Sequence, residues 1–211
     1  MGALLSNFRN TFIVSLLLSV ALIAYFAGQN SYVNTPSDGI DWHALMGHAV
    51  MRWMHVFFGI LWIGLLYYFN FVQIRTMPKI PDELKPAIGK FIAPEALFWF
   101  RWGAMGTLVT GLLVAWGRGY LVQAMTLNAA DGFSAENGHL FIGIGMWLAV
   151  IMFINVWFVI WPNQKIALGL VDAPAEAKPK AARTAMLFSR TNMLLSLPML
   201  AAMAMRQTMW G

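Results

Sequence analysis

The chain contains four histidines, fifteen methionines and no cysteine. Without thiols it carries no disulfide, iron–sulfur ligand or attachment point for a c-type haem, leaving imidazole, thioether and carboxylate as its metal-binding chemistry. His55 is followed four residues later by Gly59, and His139 by Gly143. Residues four apart share a helix face. Glycine there removes the side chain beside the imidazole, so a flat macrocycle could lie close to the helix. Two helices carrying such pairs at similar depth would suit bis-histidine ligation of haem b in a bundle. Arg52, nearly one turn before His55, is placed to receive a haem propionate. His48, seven residues before His55, is the rival ligand. The plainer reading is that these histidines are interfacial polar groups and the glycines packing residues.

A weaker alternative is copper. His43, Met46, His48 and Met51 form an H-x2-M-x-H-x2-M run of soft and imidazole donors. Methionine is frequent throughout this chain, however, and usually fills cores.

The elements that must hold these residues are set by composition. Of the 211 residues, 59% are hydrophobic and 11% charged, against about 25% charged in a soluble domain. Soluble enzymes, disordered tails and nucleic-acid binders are excluded. Five apolar stretches are long enough to cross a hydrocarbon layer of about 30 Å, which takes about 20 helical residues. They run from about Thr11 to Ala27, Val50 to Ile74, Glu95 to Trp116, His139 to Trp161 and Ala185 to Gln207. Backbone groups in lipid must pair internally, so the expected fold is an all-α integral membrane bundle of about five helices. No A-x-A cleavage site follows the first stretch, so residues 1–28 are expected to be a signal-anchor helix and residues 29–211 a four-span bundle.

The loops orient the chain. Arg75, Lys79, Lys85 and Lys90 lie between the second and third spans, and Lys165, Lys178, Lys180 and Arg183 between the fourth and fifth. The opposite loops hold only Arg118. This asymmetry predicts a cytoplasmic N-terminus and a periplasmic C-terminus. All four histidines then fall on the outer side. Asp41 is placed to cap a helix that starts at Trp42 and runs into the second span. Trp42, Trp116, Trp161 and Trp210 are expected as interfacial anchors.

A second polar set gathers near the inner side: Asn70, Gln73, Glu95, Arg101, Asn155, Arg190 and Asn192. Interhelical hydrogen bonding, with an ion pair from Glu95 to Arg101 or Arg190, is the expected role. A second pocket is the alternative. Gly103, Thr107 and Gly111 form a small-residue ridge that predicts close helix packing. Pro198 is expected to kink the last span.

Three stretches carry a family resemblance. They are R-W-M-H-V-F-F-G-I-L-W-I-G-L-L-Y-Y-F-N-F at 52–71, G-H-L-F-I-G-I-G-M-W…F-I-N-V-W-F-V-I-W-P-N-Q at 138–164, and S-R-T-N-M-L-L-S-L-P-M-L at 189–200. Together they resemble the membrane domain of the bacterial membrane-bound urate oxidase (urate hydroxylase) family, over spans two to five. In that family a periplasmic cytochrome c domain follows, which these 211 residues lack. Thr191 stands where the family pattern has histidine in S-R-H-N. The resemblance implies an inner-membrane oxidoreductase, with His55 and His139 at matching positions as haem or metal ligands.

Two functions follow as expectations. The first is a membrane-embedded haem b redox protein that passes electrons to a separate periplasmic cytochrome c. The second is a cofactor-free accessory subunit of a larger respiratory or oxidase complex, packed against partner helices. No catalytic general base is evident, and no internal repeat supports a transporter.

Overall fold

A computed structural model describes residues 6–27, 34–35 and 39–210. Its principal helices are α1 (Phe8–Ala27), α2 (His43–Lys79), α3 (Lys85–Gly117), the short α4 (Leu121–Met125) and α5 (His139–Ala167). The last is α6 (Ala177–Trp210). Strand structure among the described residues is one antiparallel pair, β1 (Asn34–Thr35) with β2 (Gly39–Ile40). The fold is therefore all-helical, and α1, α2, α3 and α5 are long and apolar enough to cross a membrane.

The fifth expected crossing, Ala185–Gln207, is helical within α6, but α6 is not among those four helices. Arg190, Thr191 and Asn192 interrupt its apolar run, and Ser189, Asn192 and Ser196 are buried inside the bundle. At 37 and 33 residues, α2 and α3 exceed the roughly 20 needed to cross.

Contacts divide the chain into two units, Met1–Val50 and Met51–Gly211. The expected boundary at residue 28 lies outside the described residues. In the first unit, Ala27, Ala44 and Leu45 bury together against Ile23 and Val50. Asp41 caps α2 as its position suggested: its Oδ1 accepts from the Ala44 N–H at 3.0 Å.

In the second unit, α2 beyond Met51 packs along α3, and α5 packs along α6. These two hairpins touch each other far less than their own helices do. The ridge explains the first pairing. A Cβ on Gly103 would lie 3.1 Å from the Trp62 backbone nitrogen, so only a glycine lets α3 come this close to α2. The main core gathers Trp62, Leu66, Phe69, Phe100, Met152 and Val156, drawn from α2, α3 and α5.

At one end polar side chains of α6 bond to α2, which joins the two hairpins, and to α5 within its own hairpin. The Asn70 amide donates to Ser189 Oγ at 2.9 Å, and the Tyr67 hydroxyl pairs with Ser196 Oγ at 3.1 Å. The Asn155 amide donates to Asn192 Oδ1 at 2.8 Å, while Asn192 donates onward to the Met152 carbonyl at 2.9 Å. Asn70 and Asn155 each sit in a wide i→i+5 turn, over Tyr68–Gln73 and Asn155–Ile160. Such turns rotate a side chain off the regular helix face.

The expected ion pair does not form. Glu95 accepts from the Trp99 indole N–H at 2.9 Å, and Arg101 stacks on the Trp161 ring at 3.5 Å. An arginine at membrane depth is satisfied here by an aromatic face. Arg190 is exposed. Among the described residues the one ion pair is Lys85–Asp82, at 2.5 Å in the α2–α3 connection.

Candidate functional site

Away from the polar stitching the two hairpins enclose a cavity of about 620 Å³. His55 and Gly59 from α2, Thr107 and Gly111 from α3, Ile142 and Met146 from α5 and Met199 and Met203 from α6 all line it. Its size falls in the range of cofactor and ligand sites, about 300–1,000 Å³.

His55 is its one imidazole. Nδ1 lies 2.9 Å from the Thr107 carbonyl oxygen. A carbonyl only accepts, so the proton sits on Nδ1 and the lone pair is left on Nε2. Gly111 makes this possible: a Cβ there would lie 2.8 Å from His55 Cε1 and 3.0 Å from Nδ1. The ridge that packs α3 on α2 thus also seats the imidazole.

Gly59 lines the cavity, and a Cβ added to it would meet nothing within 4 Å. The wall beside His55 is open, as the spacing suggested. Gly143 is different, because a Cβ there would run into the Ala124 carbonyl. That glycine lets α4 lie on α5 and leaves no open face beside His139.

His139 is not among the cavity-lining residues. Its ring stacks on Tyr120, centroids 6.1 Å apart, and Tyr120 does line the cavity. His139 Nδ1 is buried without a hydrogen-bond partner. His43 and His48 belong to the first unit, where their rings meet edge to face at 5.3 Å. Among the described residues no group of three or more His, Asp or Glu side chains gathers as a metal site.

Arg52 lines the cavity and donates to Gln207 Oε1 on α6. Two further arginines share this end, Arg118 and Arg206. Arg206 lies 5.5 Å from the Tyr120 ring centroid. Burial pushes the Tyr120 hydroxyl pKa up, and Arg206, Arg118 and Arg52 pull it part of the way back. None of the three arginines pairs with a carboxylate among the described residues. Arg206 Nε and Trp62 Nε1, both on cavity-lining side chains, are buried donors without partners.

Of the residues singled out in the sequence, His55, Gly59 and Arg52 line the cavity; Arg118, Tyr120 and Arg206 also line it and were not singled out as site residues. The signal was present: Arg118 follows span three and Arg206 ends span five, so both reach the level of Arg52 by the span count.

Residues 113–207 match the model of the urate oxidase N-terminal family. This stretch takes in the end of α3 and most of α4 to α6, with Arg118, Tyr120, His139 and Arg206, but not His55. No curated protein and no solved structure matches the chain.

Proposed function

Because residues 113–207 match the urate oxidase N-terminal family, we propose that the chain belongs to that family, is related to the membrane urate oxidases, and is a membrane-embedded redox module holding one haem b. The observation that carries this reading is His55. It lies in a largely apolar cavity, with Nδ1 tied to a backbone carbonyl and Nε2 left as a lone-pair donor. Metal-ligating histidines are commonly oriented by such a bond from the other ring nitrogen.

The remaining residues fit the same group. Gly59 leaves room for a flat ring, Met146 and Met203 supply soft apolar walls, and Arg52, Arg118 and Arg206 would hold two propionates. Haem, when bound, supplies one-electron chemistry. His139 would reach the same volume only with the Tyr120 ring moved aside, so His55 is the ligand the reading rests on. The loop charges favour a bacterial inner-membrane setting with the arginine end outward. A separate periplasmic cytochrome c would then be the electron acceptor.

The test is a dithionite-reduced minus oxidised spectrum of the purified chain with a pyridine haemochrome assay. About one haem b per chain is expected, and its loss in His55→Ala. A flat spectrum from folded protein expressed with ample haem would sink the proposal.

A further inference from the structure

The cavity wall is incomplete on one side. Val56, Ile60 and Gly64 follow each other at four-residue spacing on α2, and all three line the cavity. They also lie on the outer surface of the bundle: Val56 is 51% exposed, Ile60 69%, and Gly64 is exposed with nothing within 4 Å of an added Cβ. Across the gap, Ala204 of α6 both lines the cavity and is exposed. The α2 stripe falls in the middle third of the 37-residue helix, one of the four long and apolar enough to cross a membrane. The slot lies between the Tyr67–Ser196 and Asn70–Ser189 contacts of α2 with α6 at one end and the Arg52–Gln207 hydrogen bond at the other.

At the end of the slot nearer the first turns of α2 stand Arg52, Arg118 and Arg206, without carboxylate partners among the described residues. Arg206 Nε is a buried donor with nothing to bond. An apolar trough open to lipid and closed by guanidinium groups complements one kind of molecule. Its body must be apolar enough to leave the bilayer sideways, and its head must be an anion that accepts planar, paired hydrogen bonds.

We infer that the cavity is entered from the bilayer through the slot between α2 and α6, and that it takes a carboxylate-headed amphiphile. The body lies along Val56, Ile60 and Gly64, and the head meets Arg206 and its neighbours. The inference stands on the slot and the arginines of the haem-free chain; a resident haem would take the same cavity and the same arginines, so the test is run on haem-free protein.

The absence of cysteine makes a clean test possible. Ala149→Cys places one thiol in the cavity wall. With the full chain in phosphatidylcholine vesicles, its alkylation is timed with N-dodecylmaleimide and with a sulfonated maleimide excluded from lipid. The lipid-borne reagent is expected to react at least tenfold faster. Gly64→Phe, which fills the slot, should slow it at least tenfold. Ile60→Trp is the second slot variant should the first fail to fold, and thermal unfolding reports on both. Dodecanoate should protect the thiol at concentrations where dodecanol does not, and Arg206→Gln should remove that difference.

Equal rates with the two reagents, or no slowing in folded slot variants, would overturn entry from the side. Equal protection by dodecanol would overturn the carboxylate head. A colourless protein would end the haem reading without touching either outcome.

Discussion

The two ends of the bundle use polar side chains in opposite ways. At the stitched end Asn70, Asn155, Asn192, Ser189, Ser196 and Tyr67 each have a partner on another helix, and the leftover Asn70 Oδ1 and Gln73 Oε1 there are acceptors. At the cavity end the buried groups left over on lining side chains are donors, Arg206 Nε and Trp62 Nε1. Buried polar groups that satisfy one another hold helices together; those left unsatisfied cost free energy unless a ligand completes them. The end whose leftover groups are donors facing an open cavity, a guanidinium among them, is accordingly read as the site. Polarity alone does not separate them, since both lie in the same spans.

Substitutions can break or sharpen this contrast. The largest effect is expected from Gly111→Ala, whose methyl group would displace the His55 ring from the Thr107 carbonyl. Haem affinity should fall by about 10–100-fold, read by spectrophotometric titration, with little change in unfolding. Unchanged affinity would mean that the imidazole does not need this seat. Asn192→Ala should do the reverse. It strands the Asn155 side-chain amide and removes one of the bonds to the Met152 carbonyl, and should cost about 1–3 kcal/mol in denaturant unfolding. Haem content per folded chain should hold; a parallel loss would show the two ends to be coupled.

Tyr67→Phe removes only the bond to Ser196 that joins the hairpins. About 0.6 kcal/mol is expected, the usual worth of such a bond in a membrane bundle. The smallest effect belongs to Asp82→Asn in the exposed connection. The hydrogen bond and charge of Lys85 hold the Asp82 carboxyl below its ordinary pKa. Its contribution is therefore present above the ordinary carboxylate pKa and is lost as pH falls through the lowered one. For so exposed a pair the unfolding curves of wild type and variant should coincide at neutral pH.

Much of the arrangement was legible in the residues. Four of the five expected spans are helices long and apolar enough to cross a membrane, the α2 cap follows from Asp41, and the α2–α3 packing follows from Gly103, Thr107 and Gly111. The open wall beside His55 follows from Gly59. Other features depended on which helices become neighbours, which periodicity does not encode. Gly143 follows its histidine at the same spacing as Gly59, yet it admits the Ala124 carbonyl rather than a ligand. Glu95 and Arg101 have the charges of a pair, but Trp99 and Trp161 take their places. Trp161 and Trp210 have anchor positions in the sequence, yet one lies under Arg101 and the other packs against Phe141 and Gly138. The arginine cluster was missed because its members come from three segments far apart in the chain.

The buried stripe of α6 also bears on how the chain enters the membrane. A helix carrying Ser189, Arg190, Asn192 and Ser196 near its centre gains little from partitioning alone, because each polar group is penalised until it is paired. Its partners are Asn155 and Met152 of α5, and Asn70 and Tyr67 of α2, all translated earlier. Stable insertion of α6 should therefore wait on helices already in place. A nascent chain stopped before Ala177 would present a cleft with one wall missing, and a chain lacking α5 should leave α6 outside the lipid.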